Sequence, residues 1–384
     1  MQKSLRIGMI GYKFMGKAHS NAWRQAPYFF DLPARPVLKT LCGRDPVAVA
    51  EAATALGWEQ TVTDWRDVIA DPEIDVVDIV TGNDTHAEIA IAALRAGKAV
   101  LCEKPLALDV DQAREMRDVA AETGNVQMVC HNYRRIPAIV LAKHMIDAGQ
   151  LGDIYHYRAR YLQDWIVDPN FPLVWRLQGN LAGSGAHGDI NAHIIDLGRY
   201  LVGEIDEVSG LMETFIKRRP LPGASDGLSA SASAEMGDVT VDDAVLTIGK
   251  FASGAMMNLE ASRFALGRKN GIQLEINGSK GSISFDFEEM NRLKFYNYAD
   301  PEGQRGFRDI LVTESCHDYA GAWWPPGHII GYEHTFTHTI ADFVRAVCSG
   351  VSVQPTFEDG YRNQVVLDAI STSSRERRWI DVKF

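Results

Sequence analysis

GMIGYKFMGKAH, at residues 8–19, is the stretch that decides the fold of the first part of the chain. It overlaps the apolar run LRIGMI, which predicts a buried strand, and it leads into a segment that predicts a helix. Strand, glycine turn and helix in this order are typical of dinucleotide-binding folds, whose fingerprint is G-x-G-x-x-G. Gly11 and Gly16 have the required spacing, but Lys13 occupies the position of the second glycine. We expect a phosphate to bind at the helix start, with the Lys13 side chain directed away from the backbone contact.

Strand and helix patterns alternate from residue 5 to about residue 130. The apolar runs are short, as is typical of strands buried on both faces of a parallel sheet. The alternation indicates a doubly wound α/β sheet, so residues 1–130 are predicted to form a Rossmann dinucleotide-binding domain. Residues 27–36 contain three prolines and predict a surface loop. The predicted strands are 5–10, 37–42, 74–80, 99–102 and 126–130, and the predicted helices are 15–26, 46–57, 85–96 and 109–123.

Adjacent alternating segments dominate the chain after residue 131. They predict a second, α+β domain at 131–384 with a large open, mostly antiparallel sheet. Gly278 and Gly281 predict a hairpin turn, and residues 224–238 predict a loop. Strands are predicted within 154–163, 242–251, 253–264, 272–287 and 293–298, and helices at 137–149, 187–201, 333–349 and 358–374, the last able to pack back on the first domain.

Composition excludes several classes of protein. A length of 384 residues favours two domains, and a formal net charge of −11 argues against a broad surface for nucleic acid or anionic membranes. The five cysteines are scattered without a C-x-x-C pair, which is typical of reduced thiols in a cytosolic protein. We expect no signal peptide, and no apolar run approaches the roughly 20 residues of a membrane span. His334 and His338 are spaced as ligands but lack a third partner, so no metal site is predicted.

Polar residues follow three of the predicted parallel strands, where ligands of open α/β sheets bind. After the second strand, Gly43 stands where a ribose-binding acid is common, Arg44 favours the 2′-phosphate of NADP, and Asp45 favours the ribose of NAD. TGND at 81–84 follows the next long strand. Lys104, in CEKP, precedes a proline that disfavours helix, which places it on a turn at this edge unless it is an ordinary surface lysine.

GDINAH, at residues 188–193, carries a candidate acid–base pair. Asp189 and His193 are four residues apart on a predicted helix and therefore share one face, whereas Ile190 and Ile194 mark the buried face. A histidine that titrates near neutrality and is oriented by a carboxylate is suited to act as a general base. The alternative is a helix-terminal cap beside a surface histidine.

Taken together, GMIG…MGKAH, TGNDTH, AGKAVLCEKPLAL and GDINAH resemble the Gfo/Idh/MocA oxidoreductase family over essentially the whole chain, and most of all its inositol, levoglucosan and sugar dehydrogenases. The resemblance implies an enzyme that oxidises a secondary hydroxyl of a cyclic polyol or sugar to a ketone, with residues 131–384 as the domain for substrate binding and oligomerisation. It also implies Lys104, Asp189 and His193 as the catalytic set. It implies NAD as cofactor, with NADP kept open by Arg44 and Lys13. The implied cofactor contacts are Gly11, Lys13, Phe14, Met15, Gly16, Arg44, Asp45, Thr81, Gly82, Asn83, His86, Glu103 and Lys104.

Substrate hydroxyls require polar contacts beyond the catalytic set. Trp165 and Trp175 are suited to stack on an apolar sugar face, and Arg176 is the favoured single contact unless it forms a salt bridge within its loop. Residues 314–328 predict either a substrate lid or a subunit-contact loop. The substrate candidates are Lys104, Tyr133, Trp165, Arg176, Asp189, Asn191, His193 and His317, with Arg134, Gln163 and Asp164 as further polar donors and acceptors.

Two rival functions remain open on the sequence. One is a non-catalytic, nucleotide-sensing regulator on the same fold, against which the joint presence of Lys104, Asp189 and His193 argues. The other is an enzyme that holds its cofactor tightly and acts on glycosides. No nucleic-acid or membrane partner is predicted. The open sheet, with one face to bury, favours association of copies into a homodimer or homotetramer.

Overall fold

The computed structural model describes residues 3–225 and 230–384. It divides into two compact units. The first contains mainly residues 3–132 together with Tyr332–Gln364, and the second mainly Tyr133–Gly223, Ala230–Gly331 and Val365–Phe384.

A six-stranded parallel sheet forms the centre of the first unit, in the order β3-β2-β1-β4-β5-β6. The strand order reverses between β1 and β4, and β4 and β5 are buried along their whole length, which confirms the predicted doubly wound Rossmann sheet. The strands are β1 (Lys3–Ile10), β2 (Ala34–Cys42), β3 (Gln60–Val62), β4 (Val76–Ile79), β5 (Ala99–Cys102) and β6 (Gln127–Val129).

Several helices of the first unit begin or end at capping residues. Asp109 accepts a backbone N–H of the first turn of α5 at 2.9 Å, and Gly57 and Gly124 adopt the left-handed conformation at the ends of α2 and α5. The helices are α1 (Phe14–Phe29), α2 (Pro46–Leu56), α3 (Trp65–Ala70), α4 (His86–Arg95), α5 (Val110–Thr123) and α9 (Tyr332–Ser349).

The loop predicted at 27–36 is wrong, because α1 continues through Pro27 to Phe29 and β2 already begins at Ala34. Proline in a last helical turn removes one backbone hydrogen bond. Packing outweighs that loss: Trp23 is fully buried with its ring edge-on to Phe343 of α9. Only 30–33 remain irregular.

A nine-stranded sheet dominates the second unit, in the order β16-β15-β14-β13-β7-β12-β11-β8-β17. Neighbouring strands are antiparallel except β7 and β12, which confirms the predicted large, mostly antiparallel sheet. Its strands are β7 (Ile154–Leu162), β8 (Ile205–Glu213), β11 (Ala244–Phe251), β12 (Met256–Ser262), β13 (Gly271–Gly278), β14 (Gly281–Asp286), β15 (Arg292–Asn297), β16 (Arg308–Leu311) and β17 (Ile380–Asp381).

The hairpin predicted at Gly278 and Gly281 is confirmed, since these residues end β13 and begin β14. The loop predicted at 224–238 is wrong where it can be judged: β9 (Arg218–Ser225) and β10 (Ala230–Asp238) pair as a separate two-stranded sheet. Its serine, alanine and glycine residues show little hydrophobic alternation and so conceal the strand. Residues 226–229 of the predicted loop lie outside the described residues.

The helix predicted at 187–201 is formed in two parts, a π-helical turn at His187–Asn191 followed by α8 (Ala192–Leu201). Such π turns are frequent at functional sites. The remaining helices are α6 (Pro137–Asp147), α7 (Gly179–Ala182) and α10 (Phe357–Glu376). Within 3–225 and 230–384, none of the helices has the length and apolar character of a membrane span.

Candidate active site

The glycine turn between β1 and α1 depends on two of its glycines. Gly11 has a φ of +108°, which residues with a Cβ rarely adopt. A Cβ on Gly16 would lie 2.7 Å from the carbonyl oxygen of Gly11, so only glycine lets α1 start this close to the turn. Lys13 has a φ of −77°, which any residue adopts, and its side chain is exposed.

The first turn of α1 fits the phosphates of a dinucleotide. Within the described residues, α1 has no side-chain N-cap and no acidic residue in its first turn. Its leading N–H groups and the positive end of the helix dipole are therefore suited to bind a phosphate, with no carboxylate of the first turn competing for them. Phe14 is exposed and Met15 half-buried at this turn, and the Lys13 ammonium adds positive charge.

Packing of Tyr12 explains why no acidic side chain stands at position 43. A Cβ on Gly43 would lie 2.1 Å from the Tyr12 ring, so a side chain fits there only if the ring moves. The Asp45 carboxylate accepts two backbone N–H groups of the first turn of α2, at 3.0 and 3.1 Å, and thereby caps that helix. Arg44, between them, is exposed.

The loop after β4 forms a compact turn. The hydroxyls of Thr81 and Thr85 lie 2.7 Å apart, and the Thr85 N–H donates to the carbonyl of Gly82 at 3.1 Å. Thr81 and Gly82 are half-buried, whereas Asn83 is buried. Thr81 and Gly82 therefore have surface through which the loop can contact a ligand.

Lys104 follows β5, and the parallel strands β1, β4 and β5 place it at the same edge of the sheet as the glycine turn. The residue is half-buried. The Lys104 N–H donates to Glu103 Oε2 at 3.1 Å, while Glu103 Oε1 lies 3.0 Å from His19 Nε2. On the other side of Lys104, the Pro105 carbonyl accepts a hydrogen bond from His86 Nδ1 at 3.0 Å.

His19 lies in a buried charged cluster with Asp78 and Glu103. Its Nδ1 is 3.0 Å from both oxygens of Asp78, which also accepts from Trp23 Nε1 at 2.7 Å. Burial opposes protonation of His19, but Asp78 and the other neighbours raise its pKa well above the ordinary value. Burial likewise opposes ionisation of Glu103, yet the His19 hydrogen bond and charge lower the Glu103 pKa.

The same cluster contains three potential metal ligands, since atoms of His19, Glu103 and Cys130 lie within 4.8 Å of one another. Both His19 nitrogens already contact carboxylates, and burial raises the pKa of the Cys130 thiol to about 12. A metal would need a thiolate and a displaced hydrogen bond here. The arrangement therefore favours a hydrogen-bonded network over a metal centre.

In the second unit, His193 is 5% exposed, and its ring packs against two tyrosines. Its centroid lies 4.5 Å from that of Tyr133 and 5.8 Å from that of Tyr161. Tyr161 donates to Asn270 Oδ1 at 2.6 Å, and because an amide oxygen only accepts, Tyr133 must be the donor in its 3.1 Å contact with Tyr161. The two hydroxyls therefore form a directed chain beside His193.

This chain continues to Trp165 through an amide side chain. Gln163 Nε2 donates to Asn270 Oδ1 at 3.1 Å, and Gln163 Oε1 accepts from Trp165 Nε1 at 2.9 Å. Phe171 lies edge-on to the Trp165 ring at 5.2 Å. The half-buried indole is thus fixed in one orientation.

Asp189 is held by Arg263, a residue that is 0% exposed. Arg263 Nη2 donates to Asp189 Oδ2 at 2.5 Å, and the guanidinium lies 5.3 Å from the centre of the Trp165 ring. Burial lowers the pKa of Arg176, on which nearby Asp189 and Arg263 act in opposite directions. The structure therefore brings Trp165, Arg176 and Asp189 together around Arg263.

Two of the other candidates are engaged within the protein. Asn191 is fully buried, with Nδ2 3.1 Å from Nδ1 of His187. Arg134 is buried in a bidentate pair with Asp196, at 2.8 and 2.6 Å. Neither contact involves the His193 ring.

The last three candidates also have partners on the protein. Asp164 accepts from Lys269 Nζ at 2.7 Å, and the Trp175 ring lies 4.4 Å from the Arg176 guanidinium. His317 Nδ1 accepts the Glu314 N–H at 3.1 Å, inside the 314–328 loop. These contacts leave the two predictions for that loop, lid or subunit contact, undecided.

Sequence reasoning missed the residues that support the candidates. Arg263 was visible as the basic residue next to the end of the strand pattern SGAMMNLEASRF, and Tyr161 as an inward position of IYHYRARYLQ. His19 was quoted only as the end of the glycine-turn motif. Asn270 had no local signal, because its contacts come from residues more than 100 positions away.

Two family models match the chain. Residues 5–131 match the model described as an oxidoreductase family with an NAD-binding Rossmann fold. Residues 139–284 match the model of the Gfo/Idh/MocA C-terminal domain. The matches fall on the parallel sheet of the first unit and on the region that contains His193 and Arg263.

The chain is similar over its whole length to characterised proteins. It is 46% identical to the levoglucosan dehydrogenase of Pseudarthrobacter phenanthrenivorans, over 99% of this chain and 98% of that protein. It is 28% identical to an inositol 2-dehydrogenase of Rhizobium meliloti, over 99% of each.

Solved structures give the same result. An oxidoreductase domain protein from Kribbella flavida superimposes with a TM-score of 0.95 at 52% identity, over 100% of both chains. A levoglucosan dehydrogenase in complex with NADH and levoglucosan superimposes with a TM-score of 0.94 at 45% identity, over 100% of both chains.

Proposed function

The chain belongs to the Gfo/Idh/MocA family of NAD-binding oxidoreductases, and on that premise we propose that it oxidises a secondary hydroxyl of a cyclic polyol or sugar to the ketone. Inositols, pyranoses and anhydrosugars are the substrate classes. The observation that carries most weight is the setting of His193, whose ring is packed against Tyr133 and Tyr161 next to a chain of fixed polar side chains. Such a surface suits a ligand with several hydroxyl groups.

NAD is the cofactor of this oxidoreductase. Gly11, Gly16 and the first turn of α1 would hold its pyrophosphate, and Thr81, Gly82 and Lys104 lie at the same edge of the sheet. His86 and Glu103 are buried, so their part in the cofactor site is proposed to be support of the Lys104 turn. Exposed Arg44 and Lys13 are the residues through which NADP would be accepted.

For the chemistry, we propose Lys104, Asp189 and His193 as the catalytic set. His193 takes the proton of the substrate hydroxyl as general base, and Lys104 donates a hydrogen bond to the same oxygen and stabilises its developing negative charge. Asp189, whose own position is set by its ion pair with Arg263, orients His193 for this proton transfer. NAD, when bound, supplies the hydride acceptor.

Substrate recognition is proposed to come from the fixed aromatic and polar groups of the second unit. Trp165 offers a ring face to the apolar side of a sugar, and Tyr133 and Arg176 offer hydrogen bonds to its hydroxyls. The levoglucosan dehydrogenase relatives favour an anhydrosugar within this class. We also propose that the protein is a homo-oligomer. A cytoplasmic location is proposed as well, in keeping with its five unpaired cysteines.

The test is formation of reduced nicotinamide with NAD and NADP in parallel, across inositols, hexoses, anhydrosugars and glycosides. We expect turnover with NAD and one polyol or sugar class, and a loss of roughly 10²- to 10⁴-fold in kcat for His193→Ala and Lys104→Ala. Lys143→Ala is the matched control, because Lys143 pairs with Asp147 on the surface of α6.

Three results would redirect the proposal. Unchanged turnover in Lys104→Ala contradicts the catalytic set. Cofactor binding without turnover on any substrate favours the nucleotide-sensing regulator. Cofactor that remains bound through dialysis, with products from glycosides, favours the enzyme with tightly held cofactor.

A further inference from the structure

Two buried histidines hold the residues on either side of Lys104. His19, on α1, is 1% exposed and lies 3.0 Å from the carboxylate of Glu103. His86, the first residue of α4, is 0% exposed and lies 3.0 Å from the carbonyl oxygen of Pro105. One histidine thus contacts the residue before Lys104 and the other contacts the residue after it.

On the first side, the link runs from His19 through Glu103 to the backbone of Lys104. His19 faces a carboxylate at each ring nitrogen, and only a doubly protonated ring donates at both. The resulting imidazolium holds one oxygen of Glu103, and the other oxygen accepts the Lys104 N–H at 3.1 Å. A carboxylate fixed in this way allows the peptide of Lys104 little rotation.

On the second side, the link is a single hydrogen bond from a neutral ring. A carbonyl oxygen can only accept, so His86 Nδ1 must carry the proton in its contact with Pro105. Burial lowers the pKa of His86, which keeps the ring neutral near pH 7. The bond ties the start of α4 to the end of the Lys104 turn.

We propose that His19 and His86 are positioning residues that hold the Lys104 turn from both sides and so set the direction in which the Lys104 side chain leaves the sheet. The inference rests on the proposed function, because it takes Lys104 to act on the substrate oxygen. Neither histidine needs to touch substrate. Displacement of a catalytic group by about 1 Å is enough to cost roughly 10²-fold in rate.

Amide substitutions separate the two hydrogen bonds of His19. Glutamine places its amide nitrogen near the position of Nε2 and keeps a donor toward Glu103, whereas asparagine places it near Nδ1 and keeps a donor toward Asp78. Both changes remove the imidazolium charge. We expect His19→Gln to retain a kcat several times that of His19→Asn. The Kd for NADH should be unchanged in both variants. A purely structural role for His19 gives no reason why the glutamine variant should be the faster one.

The same logic applies to His86. His86→Asn keeps a donor near Nδ1 for the Pro105 carbonyl, and His86→Leu removes it. We expect His86→Leu to lower kcat by roughly 10- to 100-fold without changing the Kd for NADH, and His86→Asn to restore most of the rate. His338→Leu is the matched control, because His338 is equally buried in the first unit and packs against Phe30; we expect a lower unfolding temperature with kcat unchanged.

The outcomes distinguish this inference from the proposed function. If Lys104→Ala turns over normally, the catalytic role of Lys104 fails, whatever the histidine variants do. If Lys104→Ala is inactive while His19→Asn and His86→Leu bind NADH and keep the wild-type kcat, only the positioning role is overturned. If His86→Leu does not fold, the comparison of His19→Gln with His19→Asn tests the proposal. Equal kcat values for these two variants overturn it.

Discussion

At the residue scale, Arg263 is the side chain on which two substrate candidates depend. It donates to Asp189 and covers the Trp165 ring, and it is completely buried. We expect Arg263→Gln to raise the KM for the sugar by roughly tenfold or more, equivalent to about 1.4 kcal/mol, because Asp189 and Trp165 both lose their support. The Kd for NADH should not change; steady-state kinetics and a fluorescence titration measure the two quantities.

A double-mutant cycle shows whether Arg263 acts through Asp189. Residues that share one ion pair are non-additive, so Arg263→Gln in an Asp189→Asn background should cost less than in the wild type. Arg268→Gln serves as control, since Arg268 is more exposed and pairs with Glu288 at 3.2 Å. If the effects of the two substitutions on the KM for the sugar are additive in free energy, Arg263 and Asp189 act independently of each other.

His19 also makes stability depend on pH. Burial opposes protonation of His19, but the charge and hydrogen bond of Asp78 raise its folded-state pKa. That pKa lies well above the value of about 6.5 expected in the unfolded chain. Between those two pKa values the folded state binds more protons, so the stabilisation is complete below pH ~6.5 and is lost as pH rises through the folded-state pKa. The difference in unfolding temperature between wild type and His19→Gln should shrink from pH 6 to pH 9, as calorimetry would show; a constant difference contradicts the charged ring.

The residues that the sequence identified and those it missed differ in a physical way. Lys104, Asp189 and His193 stand in short motifs whose local spacing implies chemistry. The partners of these motifs are distant in sequence: Glu103 meets His19 across 84 positions, and Asp189 meets Arg263 across 74. Local periodicity carries no information about such pairs, which form only when strand order brings them together.

At the scale of elements, the start of α1 depends on a glycine that no other residue can replace. A Cβ at Gly16 would lie 2.7 Å from a backbone oxygen, so the helix must move away from the turn in Gly16→Ala. We expect the Kd for NADH to rise by roughly tenfold or more, or about 1.4 kcal/mol, because the N–H groups that face the phosphate move with the helix. Isothermal titration with NADH measures the change.

Two variants make that result specific. Gly303→Ala should leave the Kd unchanged, because nothing lies within 4 Å of the added Cβ. Lys13→Ala should keep NADH binding, since the exposed side chain leaves the backbone contacts intact. Normal NADH affinity in Gly16→Ala would contradict the placement of the pyrophosphate.

Element prediction succeeded where local rules and packing agree. The buried strands of the parallel sheet were predicted from their short apolar runs, and helices α2 and α5 from the alternation of strand and helix patterns. It failed at the end of α1, where burial of Trp23 outweighs the proline, and at β10, where small residues conceal the alternation. In both cases the structure depends on contacts between segments, and a local sequence pattern does not reveal such contacts.

At the scale of the whole molecule, one face of the nine-stranded sheet has apolar side chains with nothing over them in the described chain. Leu246 and Ile248 are 51% and 50% exposed on the same face of β11, and Leu211, directly across the strand pair on β8, is 62% exposed. Monomers rarely expose a contiguous apolar surface of this kind. Because copies of one chain associate most readily through a shared symmetric patch, we propose that a second copy covers this face.

The prediction is a particle heavier than the single chain of 42.5 kDa, measured by analytical ultracentrifugation. Ile248→Lys places a charge at the centre of the proposed interface and should shift the mass toward 42.5 kDa without unfolding the sheet, since position 248 already faces outward. Val351→Lys is the matched control, because Val351 is 67% exposed in the first unit, outside the sheet. A wild-type mass equal to one chain would contradict the association, and a heavier particle that Ile248→Lys leaves intact would place the interface on another surface.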